Sequence, residues 1–148
     1  MINIDEIMEK PCWVMDVLPK RVPQDAGGQY FAVERYYLDR IALLREKYAQ
    51  MLIKLNCYYD IAVSHDGENW KRNPNPEDIE RWLGACLSVG PTEPSLFISG
   101  PSEDALIVVQ RDNTHITIYN PSEALLELLR QLATAEGLFV WRAPQEDV

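Results

Sequence analysis

The chain has 148 residues, 47% of them hydrophobic, with 14 Lys and Arg against 23 Asp and Glu and a formal net charge of −9 at pH 7. That length is expected to give a single globular domain over 1–148, with a core that needs neither metal nor disulfide to fold. The hydrophobic share argues against disorder, and the negative balance argues against nucleic acid or an anionic membrane surface as a partner.

The chain opens Met1-Ile2-Asn3-Ile4-Asp5-Glu6-Ile7-Met8-Glu9, acidic where a secretory leader would be basic and then apolar. No run approaches the ~18 consecutive apolar residues of a membrane span, so a cytoplasmic protein is expected. Ile4 to Glu9 reads as a short helix ending before Pro11. Cys12 to Leu18, bounded by Pro11 and Pro19, reads as a strand. Both of its sides are nearly apolar, which puts it inside a sheet with at least one face covered. Residues 19–29 hold two prolines and Gly27-Gly28 and are expected to be a flexible loop. Tyr30 to Leu38, rich in aromatic and β-branched residues, reads as another strand. Cys12, Cys57 and Cys86 are odd in number and widely spaced, which favours three buried thiols over a disulfide framework.

Asp39 can cap a helix whose apolar stripe is Ile41, Leu44, Tyr48, Met51, Leu52 and Leu55. On its other side Arg40, Lys47 and Lys54 form a basic row, read as a solvated face rather than a dock for an acidic partner. Cys57 to His65 reads as a strand, Asp66-Gly67 as a hairpin turn, and Glu68 to Arg72 as a short return centred on Trp70. Asn75-Pro76-Glu77-Asp78 has the chemistry of a helix start: a capping oxygen, a proline with no N–H to leave unpaired, and acids at the positive end of the helix dipole. Ile79, Trp82, Leu83 and Cys86 continue its period, and Val89-Gly90-Pro91 should end it.

A strand at Ser95 to Ser99 and a turn at Gly100 to Asp104 precede a second hairpin. Its arms are Ala105 to Arg111 and His115 to Asn120, joined by Asp112-Asn113-Thr114. In the second arm Ile116 and Ile118 face away from His115, Thr117 and Tyr119. Asn120-Pro121-Ser122-Glu123 repeats the helix-start chemistry ahead of a stripe of Leu125, Leu128, Leu129 and Leu132, with Gly137 placed to stop it. Leu138 to Trp141 is a last strand and 143–148 a frayed tail. Residues 57–87 and 105–136 both run strand, turn, strand, Asn-Pro helix. A duplicated ββα unit explains this, and so does convergence of two helix starts on the same capping residues. The expected fold is α+β: a largely antiparallel sheet with about three helices packed mainly on one face.

The phosphate-cradling, zinc-binding and nucleophile-elbow motifs are absent from the sequence. A Cys57–His65 pair on one strand would be some 26 Å apart at ~3.3 Å per residue, too far to react. His65, Asp66 and Glu68, with a borrowed His115, are the nearest thing to a metal set, but acids and glycine at a hairpin tip have turn reasons to be there. Neither metal nor cofactor is therefore expected. Asp16 and Asp60 are the two acids inside apolar strand runs, the best pair for carboxylate-assisted hydrolysis provided their carboxyls lie within ~10 Å. Aromatics supply the remaining lead. Tyr30, Tyr36, Tyr37, Tyr58 and Trp70 sit in segments of mixed polarity, and exposed Tyr and Trp anchor interfaces.

Three functions survive these readings. The first is a non-enzymatic bacterial-type interaction protein, immunity-like or an adaptor, which meets a basic protein partner through Asp66, Glu68, Trp70, Tyr36 and Tyr58. Its association should slow as salt screens the steering charge. The second is a small hydrolytic enzyme whose site would place His65 or His115 beside a carboxylate or cysteine in a concave pocket. The third is a small-ligand-sensing module with an apolar cavity. The scarcity of clustered catalytic residues favours the first.

Overall fold

A computed structural model describes residues 3–23, 25, 27–86, 95–100, 103–109 and 114–143. Its elements in chain order are α1 (Ile4–Ile7), β1 (Cys12–Asp16), α2 (Gln29–Leu38), α3 (Ile41–Leu55), β2 (Asp60–Ser64), β3 (Lys71–Arg72), α4 (Pro76–Cys86), β4 (Ser95–Gly100), β5 (Glu103–Val109), β6 (Ile116–Tyr119), α5 (Glu123–Ala135) and β7 (Phe139–Arg142). The strands form one sheet in the order β3-β2-β4-β5-β6-β1-β7, with every neighbouring pair antiparallel. The fold is α+β, as the sequence indicated.

Alternate residues of the strands explain where the core lies. Met15, Ile61, Val63, Ala105, Ile107, Val109, Ile116 and Ile118 are buried on one face of the sheet. They pack against Leu44, Tyr48, Met51, Leu52 and Leu55 of α3, Ile79, Trp82 and Leu83 of α4, and Leu125, Leu129 and Ala133 of α5. The expected α3 stripe is the one observed, with Ile41 half-buried at its start. On α5 the buried face is turned slightly toward Leu126 and Ala133, leaving Leu128 and Leu132 half-buried. The opposite sheet face is covered too: Val14, Asp16, Leu106, Val108 and Thr117 are all buried, and α1 lies against β5. Strand β1, apolar on two sides, sits inside the sheet between β6 and β7.

Several local expectations are corrected. Residues 29–38 are helix, not strand. The half-buried positions Tyr30, Glu34, Tyr37 and Leu38 recur at helical spacing, but the Glu among them conceals the stripe. The backbone amide of Asp39 closes α2 on Arg35, so Asp39 does not cap α3, whose N-cap position is Arg40. Strand β2 begins at Asp60, and Cys57 is exposed in the turn after α3, so it is neither on the strand nor a buried thiol. Cys12 is half-buried, and the side chain of Cys86 lies outside the described residues. The return strand pairs only Lys71 with Val63 and Arg72 with Ala62, which makes residues 65–70 a loop rather than a two-residue turn. Glu103 and Asp104, read as turn, pair with Gly100 and Ser99 inside the sheet. The expected end of α4 at 89–91, the turn at 112–113 and the tail from 144 lie outside the described residues. The basic row is not simply solvated: Lys47 Nζ donates to the Glu136 carbonyl at 2.7 Å and Lys54 reaches its carboxylate at 3.7 Å. Two cations thus close the C-terminal end of α5, where the dipole favours them. That helix ends in a Schellman turn, with Leu138 N bonded to Ala133 O, Gly137 N to Thr134 O, and Gly137 at φ +73°.

The two helix starts prove more alike than the Asn-Pro match suggested, in a register two residues earlier for α4. Asn73 and Asn120 each follow a strand at positive φ (45° and 57°), each precedes a proline, and each donates its backbone N–H to a neighbouring carbonyl. The caps come next: Asn75 Oδ1 accepts from Asp78 N at 2.8 Å, and Ser122 Oγ accepts from Leu125 N at 3.1 Å. Asn120 is therefore not the cap expected of it. Its Nδ2 donates instead to the Asp104 carbonyl at 2.9 Å. Ser122→Ala should cost about 1 kcal/mol through the lost cap. Asn120→Ala should cost about 1–2 kcal/mol through left-handed strain, and Asn120→Gly less. Urea midpoints check the order, and a glycine variant no better than alanine would remove strain as the cause.

Candidate functional site

Asp16 is the one charged residue among the described residues that is buried, at 6% exposure. A carboxylate so placed needs a reason. It ends β1 on the sheet face opposite the three-helix core. There its Oδ1 accepts from Thr114 Oγ1 at 2.9 Å and from Val17 N at 2.7 Å. No hydrogen bond from the described residues reaches Oδ2. Asp16 lines a cleft of about 410 Å³, a volume within the ordinary range of ligand sites. Its sheet side is formed by Val14, Asp16, Trp141 and His115, and its walls by Leu18, Lys20, Arg21, Val22 and Pro23 with Tyr30 and Phe31 from the first turn of α2.

The sequence builds this cleft from both ends of the chain. Val14 pairs with Thr117 on one side and Trp141 on the other, so the three side chains share a sheet face. Trp141 Nε1 donates to Leu18 O at 3.0 Å and holds the segment after β1 beside β7. From the core side, the hydroxyl of Tyr48 lies 2.5 Å from Thr114 O and 3.2 Å from Met15 O. It thereby braces the two backbone segments that carry Asp16 and His115. Tyr30 Oη donates to Glu34 Oε2 at 3.2 Å across one turn of α2.

The electrostatics follow from this enclosure. Burial pushes the half-buried His115 imidazole below its ordinary value, against the pull of Asp16 and Glu34, which favours the neutral ring. Burial, Glu34 and Asp16 together push the Tyr30 phenol up, and burial and Asp16 push Tyr48 well up. The arrangement offers an open carboxylate oxygen, a neutral imidazole and three aromatic rings around an apolar space. It can bind, and a neutral imidazole beside a carboxylate can also accept a proton from water.

The residues singled out in the sequence fall elsewhere. Asp66, Glu68 and Trp70 share the β2–β3 loop, Tyr36 lies on α2, and Tyr58 follows α3 with 68% of its surface exposed. The Asp66 carboxylate is committed to its own loop, accepting from Ser64 Oγ, Glu68 N, Asn69 N and Asn69 Nδ2. These bonds hold its carboxyl far below the usual carboxylate range. Trp70 Nε1 donates to Gly67 O within the same loop. The Tyr36 ring is covered by the Arg40 guanidinium at 3.8 Å. Asp16 and Asp60 do not meet: β4, β5 and β6 lie between their strands, about 19 Å at ~4.8 Å per step, which removes the paired-carboxylate reading. His65 and His115 are likewise about 14 Å apart by strand spacing alone. Among the described residues no three His, Cys, Asp or Glu are grouped to hold a metal ion.

A second hollow beside His65 contains Lys71, Asp78, Arg81 and Trp82. Its acid is already paired, Asp78 with Lys71 at 2.9 Å and with Arg81 at 3.3 Å. No helix among the described residues is long and apolar enough to cross a membrane. No protein-family model matches the chain, and no curated protein or solved structure matches it.

Proposed function

We propose that this is a non-enzymatic binding protein that receives its partner in the Asp16 cleft and on the adjoining face of α2. The observation that carries the reading is the Asp16 carboxylate: buried, with one oxygen fixed by Thr114 and Val17 and the other without a hydrogen bond from the described residues, in an apolar cleft. That oxygen is not shut away from the cleft and is available to a donor that enters it. Beside it α2 has no buried residue and exposes Phe31 (69%), Tyr36 (50%) and Val33 (37%). Rigid aromatics next to a cleft supply contact area at little entropic cost. The Asp66–Trp70 loop is a weaker candidate, because its acid already has its partners.

A fragment set followed by two-dimensional amide NMR tests this. Shifts should gather at Val14, Asp16, Leu18, Tyr30, His115 and Trp141, and the bound compounds should be recovered unchanged. Shifts confined to the 65–70 loop would move the site there. The half-buried His115 with Asp16 and Glu34 around it favours a hydrolytic alternative. Turnover of a bound ester or amide, abolished in His115→Ala, would replace the binding reading with that one.

A further inference from the structure

We infer that the cleft takes a primary ammonium carried on an apolar stem, with the charged group on Asp16 and the stem against the aromatic wall. The inference rests on the cleft being the binding site and goes further by naming the ligand class. Asp16 is nine-tenths buried, and only its Oδ2 is open, since Thr114 and Val17 occupy Oδ1. A buried carboxylate is best matched by a charged donor, whose hydrogen bond to it is shorter and stronger than a neutral one. One free oxygen also selects among cations. A guanidinium makes its strongest carboxylate pair as a fork on both oxygens, whereas an ammonium is a compact point charge that one oxygen can hold fully. Tyr30, Phe31 and Trp141 line the same cleft, and their faces attract a cation and cover its stem. At the mouth Lys20 and Arg21 are exposed. They repel every positive charge the ligand brings and tolerate an anionic one, so a ligand with the single cation that Asp16 can pair is favoured over a polyamine.

Two sources carry this chemistry: a free aromatic or aliphatic amine, and a lysine side chain presented by a protein. Titrations of the whole chain, read by tryptophan fluorescence and calorimetry, can use 2-phenylethylamine, its neutral isostere 2-phenylethanol, 2-phenylethylguanidine and Nα-acetyl-lysine amide. At least one of the two amines should bind ten times or more tightly than 2-phenylethanol, with the guanidine weaker than the phenylamine. Tighter binding of 2-phenylethylamine assigns the free amine, and tighter binding of the lysine derivative assigns the side chain. Asp16→Asn, which keeps an acceptor for Thr114 and Val17, should lower amine affinity at least tenfold and leave the alcohol unchanged. The comparison of amine with alcohol on the unaltered chain needs no variant to fold. Equal binding of amine and alcohol at the cleft overturns the ligand class while leaving the cleft as a binding site. If no fragment or probe perturbs the cleft residues, the binding reading fails and takes this inference with it.

Discussion

Replacing Trp82 by alanine is expected to cost about 3–5 kcal/mol of folding free energy, the usual range for removing a buried tryptophan. The side chain is 4% exposed and stands between α4 and β2 within the main core. Its Nε1 donates to the Ser64 carbonyl at 3.2 Å, the last residue of β2, so the ring both fills volume and ties helix to sheet. Trp82→Phe separates the two roles. It keeps much of the buried area but loses the donor, and should cost about 1–3 kcal/mol. Urea denaturation at unchanged slope measures both. An alanine variant that loses less than 1 kcal/mol would mean that α4 does not pack on β2 through this residue.

Leu129→Ala should cost about 2–5 kcal/mol, and Leu128→Ala less than half as much. Both leucines belong to the apolar stripe expected for α5, yet Leu129 is fully buried while Leu128 is half-buried beside it. A cavity at Leu129 would open among side chains already at close packing, whereas the space left at Leu128 can be reached by solvent. Equal losses at the two positions would require α5 to be rotated about its axis by part of a turn.

The sheet and the three core helices were legible because their signals are strong and local. Leu125, Leu128, Leu129 and Leu132 repeat at the helical period, and so do the six apolar positions of α3. Turn residues such as Gly137 mark boundaries that the backbone observes. Helix α2 was not legible. Its inward stripe runs Tyr, Glu, Tyr, Leu, its N-cap position Gly28 makes no side-chain bond, and aromatics carry strand propensity. With α2 misread, the wall bearing Tyr30 and Phe31 could not be foreseen. The site was legible only in part. Asp16 stood out as an acid in an apolar run, and His115 as one of two histidines. That they share a cleft depends on strand order, which periodicity does not encode. An acid and a tryptophan near a turn suggest recognition at the Asp66 loop; the hydrogen bonds that the Asp66 carboxylate and Trp70 Nε1 make within that loop are not encoded in such a pattern.

The place of β1 in the sheet has a consequence for how the molecule assembles. Its partners are β6 and β7, and its side-chain ties run from Asp16 to Thr114 and from Leu18 to Trp141, across 98 and 123 residues. As the chain is synthesised, β1 is the first of these seven strands to be made, and it has no partner in the sheet until β6 and β7 follow. The hairpin of β4 with β5 and that of β5 with β6 close over short distances and can form beforehand. The end of the sheet that carries the cleft is thus the last to close. Occupancy of that cleft would then report that the polypeptide has been synthesised through β7 and has threaded its first strand home.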